Sequence, residues 1–193
     1  MTEPFHPADN APAPRPNFVL IGFMGSGKSS IGRILATKLG FPMVDTDALV
    51  VEAAGMQITD IFAWKGEEVF RDYESKVLRA LVDRAVHGTV ISTGGGIVLR
   101  PQNVALLHEL GFVVLLTANE DVLFERVSRN KTRPLLHTPN PRETVSQLLA
   151  GRAPLYTAAA DFTLDTSARS HTQAADAMIA EARGRFPLWN PGF

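Results

Sequence analysis

The residues best suited to chemistry form the run Gly22 to Ser29, which reads GFMGSGKS. The run matches the pattern G-x-x-x-x-G-K-[ST] and lies between the apolar stretch Phe18–Phe23 and the helical pattern Lys28–Leu39. Its glycines let backbone N–H groups wrap phosphates, and the helix that follows adds the positive end of its dipole. We expect Lys28 to reach the β- and γ-phosphates and Ser29 to ligate Mg²⁺. The sequence therefore predicts a nucleoside triphosphate site rather than a glycine-rich turn without a ligand.

A dinucleotide-binding fingerprint does not fit the same glycines. Ser30 occupies the position of the third glycine, so the fingerprint is incomplete.

Two carboxylates follow the second apolar run, at Asp45 and Asp47. Alternate residues of an extended segment face the same way, so both are predicted to approach one site. Asp45 then holds Mg²⁺ through water, and Asp47 accepts a hydrogen bond from a substrate hydroxyl and takes up its proton. The alternative is that Asp47 caps a helix starting at Ala48. The residues alone leave both interpretations open.

Glycines and arginines supply the remaining candidates. The triplet Gly94–Gly96 ends the third predicted strand, where it indicates either close approach of a ligand or a plain turn. Arg71, Arg133 and Arg152 each stand near predicted helices or loops. A guanidinium matches carboxylate and phosphate in two-point contacts, although any one of these arginines alone is typical of a protein surface.

The elements that must position these residues alternate along the chain. Short apolar runs typical of buried parallel strands are Phe18–Phe23, Phe41–Val44, Thr89–Ile91, Phe112–Leu116 and Phe162–Leu164. Helical patterns between them are Lys28–Leu39, Glu67–Val86, Pro101–Leu110, Asp121–Arg129, Glu143–Ala160 and Thr172–Arg183. This alternation predicts an α/β sandwich with a mainly parallel sheet, in which ligands bind at the carboxyl ends of the strands.

Composition narrows the function classes. The 193 residues suit one domain, and a net charge of −1 argues against partners such as nucleic acid or an anionic membrane. Arginine accounts for 14 of the 19 basic residues, which indicates either sites for small anions or codon bias. The absence of cysteine excludes disulfides, thiolate zinc sites and cysteine nucleophiles, and fits a reducing compartment. The proline-rich segment 1–16 is predicted to be a flexible tail, with no secretory signal.

Taken together, the motifs resemble those of the shikimate kinases, a branch of the P-loop proteins related to nucleoside-monophosphate kinases. The resemblance runs from Asn17 to about Arg183. The matching motifs, in the family's order and spacing, are Gly25–Ser29, Asp45–Asp47, Asp60–Phe62, Gly66–Glu67 with Phe70–Arg71, Gly94–Gly96, Arg133–Leu136 and Arg152–Tyr156.

The resemblance implies a three-layer α/β sandwich with a five-stranded parallel sheet and a mobile lid. A single domain would span 17–185, ahead of a C-terminal tail at 186–193. Within the domain, the substrate-binding segment would cover about 47–75 and the lid about 128–142. The implied activity is ATP-dependent phosphorylation of the 3-hydroxyl of shikimate, on the pathway to aromatic amino acids. Mg²⁺ is the implied cofactor, ATP and shikimate are the implied partners, and we expect a cytoplasmic monomer.

Site residues carry over position by position. The catalytic residues implied are Lys28, Asp47 and Arg133. The ATP-binding residues implied are Gly25, Ser26, Gly27, Lys28, Ser29, Ser30, Arg126, Arg133 and Arg169. The substrate-binding residues implied are Asp47, Arg71, Gly94, Gly95, Gly96 and Arg152. The metal-binding residues implied are Ser29 and, through water, Asp45, with Ser92 near the same shell.

The resemblance also assigns specific tasks within these sets. Arg71 and Arg152 would hold the carboxylate of shikimate, and Gly95 would offer backbone groups to its ring hydroxyls. Arg133 would reach from the lid to the transferring phosphoryl group. Arg126 and Arg169 match positions beside the adenine more weakly.

Three other functions remain as alternatives at this point. A gluconate kinase of the same fold also phosphorylates a hydroxylated carboxylate. A nucleoside-monophosphate kinase would need base-reading groups that the sequence does not reveal. A non-catalytic nucleotide sensor would have no use for the acceptor residues around Asp47.

Overall fold

The computed structural model describes residues 15–128 and 139–191, and its centre is a five-stranded parallel sheet in the order β2-β3-β1-β4-β5. The strands are β1 Phe18–Ile21, β2 Met43–Asp45, β3 Val90–Ser92, β4 Phe112–Thr117 and β5 Phe162–Asp165. The helices are α1 Lys28–Leu39, α2 Thr46–Ala54, α3 Ile58–Asp83, α4 Pro101–Leu110, α5 Glu120–Ser128, α6 Pro141–Ala159 and α7 His171–Arg185. A 3₁₀ turn, Ile97–Leu99, precedes α4. The predicted α/β fold and its parallel sheet are confirmed.

Helices cover both faces of the sheet because its central strands are apolar on both sides. In β1, Val19 and Ile21 face the core formed with α3, α4, α5 and α6, while Phe18 and Leu20 face the core formed with α1 and α7. Side chains alternate between the faces of a strand, so a continuous apolar run fills two cores at once. The result is the predicted sandwich of three layers.

The register of the sheet brings the candidate motifs together at the carboxyl ends of its strands. Leu20 in β1 and Asp45 in β2 both pair with Ser92 in β3. All three strands are parallel, so the segments that follow them emerge side by side. The phosphate-loop motif, the Asp45–Asp47 motif and the triple glycine therefore meet at the carboxyl end of the sheet.

The helix predicted over Glu67–Val86 starts earlier in the structure. Helix α3 begins at Ile58, and its only non-helical backbone is at Gly66, with φ 83° and ψ 169°. The turns before Gly66 pack back on those after it, as the rings of Phe62 and Phe70 lie 4.9 Å apart. A glycine at positive φ interrupts the helical pattern, which is why the sequence predicts only the second part.

The described residues nearest the two termini of the chain pack on the body of the protein. The carbonyl of Arg15 accepts a hydrogen bond from the N–H of Gly88. Trp189, in the predicted C-terminal tail, is 5% exposed, and its ring lies 5.7 Å from that of Phe18. Most of the predicted lid, with Arg133, lies outside the described residues, as do positions 1–14 of the predicted N-terminal tail.

None of the helices in the two described ranges has the length and apolar character needed to cross a membrane.

Trp189 provides a test of the C-terminal packing. We expect W189A to lower the free energy of unfolding by about 3 kcal/mol, because it removes a large ring from the core beside Phe18 and Phe41. Urea denaturation of the full chain measures the change. The neighbouring Leu188 is 80% exposed, so L188A is the matched control and should change stability by less than about 0.5 kcal/mol. Equal losses for both variants would contradict the docking of Trp189.

Candidate active site

The phosphate loop, Gly22 to Lys28, joins β1 to α1 through glycines that no other residue could replace without strain. Gly22 has φ 136°, and a Cβ on it would lie 2.3 Å from the carbonyl oxygen of Leu116. Gly27 has φ 97° and precedes the first turn of α1, which contains no acidic residue. At its glycines the loop presents backbone without side chains, and it ends at the positive N-terminus of α1. This arrangement is suited to phosphate groups.

Lys28 is the cation of this loop. Its ammonium donates hydrogen bonds to the carbonyls of Gly22 at 2.8 Å and Phe23 at 2.9 Å, and the residue is 8% exposed. These contacts hold the Nζ atom against the inner side of the loop. A phosphate in the loop would meet a positive charge already in position.

The nucleotide pocket is the space lined by Gly25, Gly27, Lys28, Ser29, Ser30, Arg126 and His171. Arg126 reaches it from α5, and its guanidinium donates to the carbonyl of Gly25 at 3.2 Å. Arg169 instead lines a neighbouring depression with Asp165 and Asp176. His171 was missed by the sequence interpretation. The capping box of Ser170 and Gln173, a local pattern visible in the sequence, marks its place at the start of α7.

Three oxygen-bearing side chains meet beside the loop. The hydroxyl of Ser29 donates to Asp45 Oδ2 at 3.3 Å, and lies 3.3 Å from the hydroxyl of Ser92. The sheet register explains the meeting, because Asp45 and Ser92 are partners across β2 and β3. Mg²⁺ prefers oxygen ligands and commonly binds through one carboxylate together with substrate phosphates. The donor set fits that ion.

Asp45 and Asp47 do not extend along one strand, so the premise that they approach one site as alternate strand residues is wrong. Helix α2 begins at Thr46, directly after β2, and Asp45 is its N-cap, accepting from the N–H of Asp47 at 3.0 Å. The alternative, Asp47 as the cap, is wrong for the same reason. The first helical turn sends the two carboxylates to different places: Asp45 to Ser29 and Asp47 to the pocket described next.

The acceptor pocket adjoins the phosphate loop and has about 570 Å³ of space between its walls, its mouth included. Its lining residues are Met24, Asp47, Ile58, Phe62, Phe70, Arg71, Glu74, Gly94, Gly95, Gly96 and Arg152. The structure thus brings together every described substrate-binding residue predicted from the sequence. Aromatic walls face two arginines and two carboxylates, a combination suited to a small ring with a carboxylate and hydroxyls.

Arg71 is held inside the pocket wall by two glutamates. Its Nη1 donates to Glu74 at 2.6 Å and its Nη2 to Glu67 at 2.6 Å, although Arg71 is only 4% exposed. Burial lowers the pKa of Arg71, but the charges of Glu74 and Glu67 outweigh it, so the net pKa is raised. Burial raises the pKa of Glu74, against the opposing attraction of Arg71. The guanidinium therefore stays charged and fixed in direction.

The glycine turn, Gly94 to Gly96, makes room for these charges. A Cβ on Gly94 would lie 2.6 Å from Asp47 Oδ1 and 2.8 Å from Glu74 Oε1. A Cβ on Gly96 would lie 2.1 Å from Arg71 Nη1. The turn is tied to α2 through the N–H of Gly94, which donates to Thr46 Oγ1 at 3.2 Å. Charged side chains therefore occupy the space that side chains at Gly94 and Gly96 would need.

The middle glycine faces two other elements. A Cβ on Gly95 would lie 3.4 Å from the backbone nitrogen of Met24, so the glycine turn lies beside the phosphate loop. The Gly95 carbonyl accepts hydrogen bonds from Arg152 Nη1, at 3.2 Å, and from the hydroxyl of Tyr156. Both donors come from α6, one helical turn apart. Met24 lines the acceptor pocket and the next residue, Gly25, lines the nucleotide pocket, so the two pockets are neighbours along the phosphate loop.

The sequence interpretation missed several of the acceptor pocket's residues. Glu74 follows Arg71 by three positions on α3, the spacing of an ion pair on one helix face, and this signal could have identified it. Met24, Phe62 and Phe70 lie inside or next to the matching motifs, but as apolar residues they gave no chemical signal of their own.

Gly96 offers a test of the packing at the turn. We expect G96A to lower the free energy of unfolding by about 2 kcal/mol, because its Cβ displaces Arg71 and leaves the buried Glu74 carboxylate without its partner. The backbone at Gly96 has φ −108°, which alanine adopts readily, so the contact alone causes the loss. Urea denaturation measures it. In G184A, where a Cβ meets open space inside α7, we expect a gain of about 0.5–1 kcal/mol. An unchanged stability of G96A would contradict this packing.

Comparisons of the sequence and of the structure with known proteins point to the same family. The model of the shikimate kinase family matches residues 24–183. A shikimate kinase of Thermodesulfovibrio yellowstonii is 44% identical over 165 residues, covering 86% of this chain and 94% of the relative. The structure of an Acinetobacter baumannii shikimate kinase in complex with shikimate aligns with a TM-score of 0.84 and 34% identity, covering 89% of this chain and 94% of that one.

A gluconokinase of Sinorhizobium meliloti is more distant. It aligns with a TM-score of 0.54 and 20% identity, covering 92% of this chain and 96% of that one. At this identity the likeness extends to the fold alone. Given the family match over most of its length and close relatives at this level of identity, the chain belongs to the shikimate kinase family.

Proposed function

We propose that this chain transfers the γ-phosphoryl group of ATP to the 3-hydroxyl of shikimate, giving shikimate 3-phosphate. Membership of the family supports the reaction. The observation that carries it in this chain is that the phosphate loop borders both pockets: Met24 lines the pocket for a hydroxylated carboxylate, and the next residue, Gly25, lines the nucleotide pocket. Phosphoryl transfer depends mainly on alignment, which the shared loop provides, and on neutralisation of charge, to which Lys28 contributes.

On the acceptor side, Arg71 and Arg152 bind the carboxylate of shikimate. Both are buried, at 4% and 6% exposure, so their attraction for an anion is weakly screened. Asp47 accepts the hydrogen bond of the reacting hydroxyl, and the backbone of Gly95 and its neighbours faces the ring. The rings of Phe62 and Phe70 pack on the apolar part of the substrate.

On the donor side, the phosphate loop and Lys28 bind the β- and γ-phosphates of ATP. Ser29 and, through water, Asp45 are the residues that would hold Mg²⁺, which neutralises phosphate charge when bound. Arg126, and Arg169 in its neighbouring depression, bind the nucleoside end together with His171. Arg133 is outside the described residues, and its proposed contact with the transferring phosphoryl group rests on the resemblance of Arg133–Leu136 to the family's motif.

In the reaction, the 3-hydroxyl oxygen forms a bond to the γ-phosphorus while the bond from that phosphorus to the bridging oxygen breaks. ADP leaves with the electron pair of the broken bond. The hydroxyl proton passes to Asp47, whose carboxylate lines the acceptor pocket. Lys28 stabilises the charge that develops on the phosphate oxygens.

A coupled assay of ADP release by the purified chain tests the function. We expect ATP-dependent turnover with shikimate and none with gluconate, because the two buried arginines suit a rigid ring with its carboxylate at one end. Turnover with gluconate alone would replace the proposal by its nearest rival, and nucleotide binding without any turnover would favour a sensor.

We further propose a cytoplasmic monomer. The absence of cysteine supports the compartment, because disulfides are rare in reducing compartments. Sedimentation of the purified chain and fractionation of cells that express it test the two parts separately.

Asp47 is the first mutational test. We expect D47N to lower kcat at least about 100-fold, because the amide keeps the shape of the side chain but accepts no proton. The KM for ATP should stay within about twofold of the wild type, since Asp47 lines only the acceptor pocket. Steady-state kinetics measure both. The control is D83N at the exposed end of α3, which should leave kcat unchanged. Wild-type turnover of D47N would contradict the role of Asp47.

Arg152 is the second test. We expect R152K to raise the KM for shikimate about tenfold, because lysine keeps the charge but loses the two-point contact with a carboxylate. The same substitution in Arg79, which is half-exposed on α3 and pairs with Glu109, provides the control and should change no kinetic constant. If shikimate affinity is unaffected in R152K, Arg152 does not bind the carboxylate.

A further inference from the structure

Tyr156 is a buried polar residue with no part in the chemistry proposed above. We propose that it is a positioning residue for substrate binding: its hydroxyl holds the carbonyl of Gly95 and thereby fixes the glycine turn while Arg152 binds the carboxylate. This inference rests on the proposed function, and it assigns a task to the last residue of the Arg152–Tyr156 motif.

The ring of Tyr156 is buried in the core. The residue is 2% exposed and packs in the same core cluster as Phe23, Leu115 and Leu123. These neighbours are apolar, and the hydroxyl at the end of the ring reaches the Gly95 carbonyl. A buried hydroxyl needs a hydrogen-bond partner, and here the partner is the backbone of the acceptor pocket.

The Gly95 carbonyl is shared by two donors with different tasks. Arg152 contacts it at 3.2 Å and also lines the acceptor pocket, whereas Tyr156 does not line that pocket. A carbonyl oxygen has two lone pairs and accepts both donors at once. When a substrate carboxylate attracts the guanidinium, the tyrosine still satisfies the carbonyl. Without the tyrosine hydroxyl, Arg152 would be the remaining donor to the Gly95 carbonyl oxygen. The carbonyl and the substrate carboxylate would then compete for its guanidinium.

Orientation of the peptide follows from the same contact. The Gly95 carbonyl and the Gly96 N–H belong to one planar trans peptide, so fixing the first fixes the direction of the second. Among the described residues, the N–H groups of Gly95 and Gly96 have no protein acceptor. They are therefore available to oxygen atoms of a bound substrate, provided that the turn keeps its orientation.

The hydroxyl acts as a donor at every working pH. Burial raises the pKa of Tyr156 to about 12, so the proton needed for the hydrogen bond is present throughout the neutral and mildly alkaline range.

The variant Y156F tests the proposal, because it removes the hydroxyl and keeps the ring. We expect the KM for shikimate to rise about fivefold to tenfold, as for loss of one buried hydrogen bond. The KM for ATP and kcat should stay within about twofold. The control is Y73F, which changes the chain's other tyrosine, half-buried on α3 away from the glycine turn. An unchanged KM for shikimate, or a parallel rise in both KM values, would overturn the positioning role.

A measurement without ligand separates this proposal from the proposed function. In the NMR spectrum of the ¹⁵N-glycine-labelled chain, Y156F should shift the amide resonances of Gly95 and Gly96. Y73F should leave them in place. Unchanged resonances in Y156F would overturn the hydroxyl–carbonyl contact whatever the activity. Absence of turnover in the wild type, with the resonances shifted in Y156F, would count against the substrate and not against the positioning of the turn.

Discussion

The placement of the phosphate loop beside the glycine turn determines the rest of the site. A Cβ on Gly95 would lie at van der Waals distance, 3.4 Å, from the Met24 nitrogen, so the two segments are neighbours. The two segments follow neighbouring strands, β1 and β3, whose parallel register sets Leu20 beside Ser92. Because strands pair at a fixed spacing, segments that follow adjacent strands meet without a long connection. The two pockets become neighbours through the sheet itself, and alignment of two substrates follows from its geometry.

The same turn makes a buried cluster of charges possible. Glu74 is fully buried and Arg71 almost so, an arrangement that costs desolvation energy on both sides. The missing side chains of Gly94 and Gly96 leave space for the carboxylate and the guanidinium, and Glu67 supplies a second partner for Arg71. Replacing the pair by apolar residues would be a simpler way to fill this volume. Arg71 and Glu74 face a pocket suited to an anion. Burial of these charges costs stability, while a charged arginine is what an anion would bind, so the two requirements conflict at this position.

Sequence reasoning reached the parts of the site that are encoded locally. The phosphate loop is a contiguous pattern between a strand and a helix, and the family resemblance located Arg71, the glycine turn and Arg152. The premise about Asp45 and Asp47 was wrong, because α2 begins immediately after β2 and its first turn separates their side chains. Glu74 and Tyr156 were missed as site residues. The spacing of Glu74 from Arg71 on α3 was a local signal that could have identified it, whereas the contact of Tyr156 with the Gly95 carbonyl depends on how α6 packs on the glycine turn.

The arginine excess has a structural component beyond codon bias. Arg71 contacts Glu67 and Glu74 through different nitrogens, and Arg100 contacts Asp72 and Glu68 through different nitrogens. A lysine has one nitrogen on a flexible stem and could not span two carboxylates in a fixed plane. Arg100 joins the start of α4 to α3, on the same helix that carries Arg71. The forked side chain thus serves one stretch of α3 twice: Arg71 lines the acceptor pocket, and Arg100 fixes the helix against the segment that follows the glycine turn.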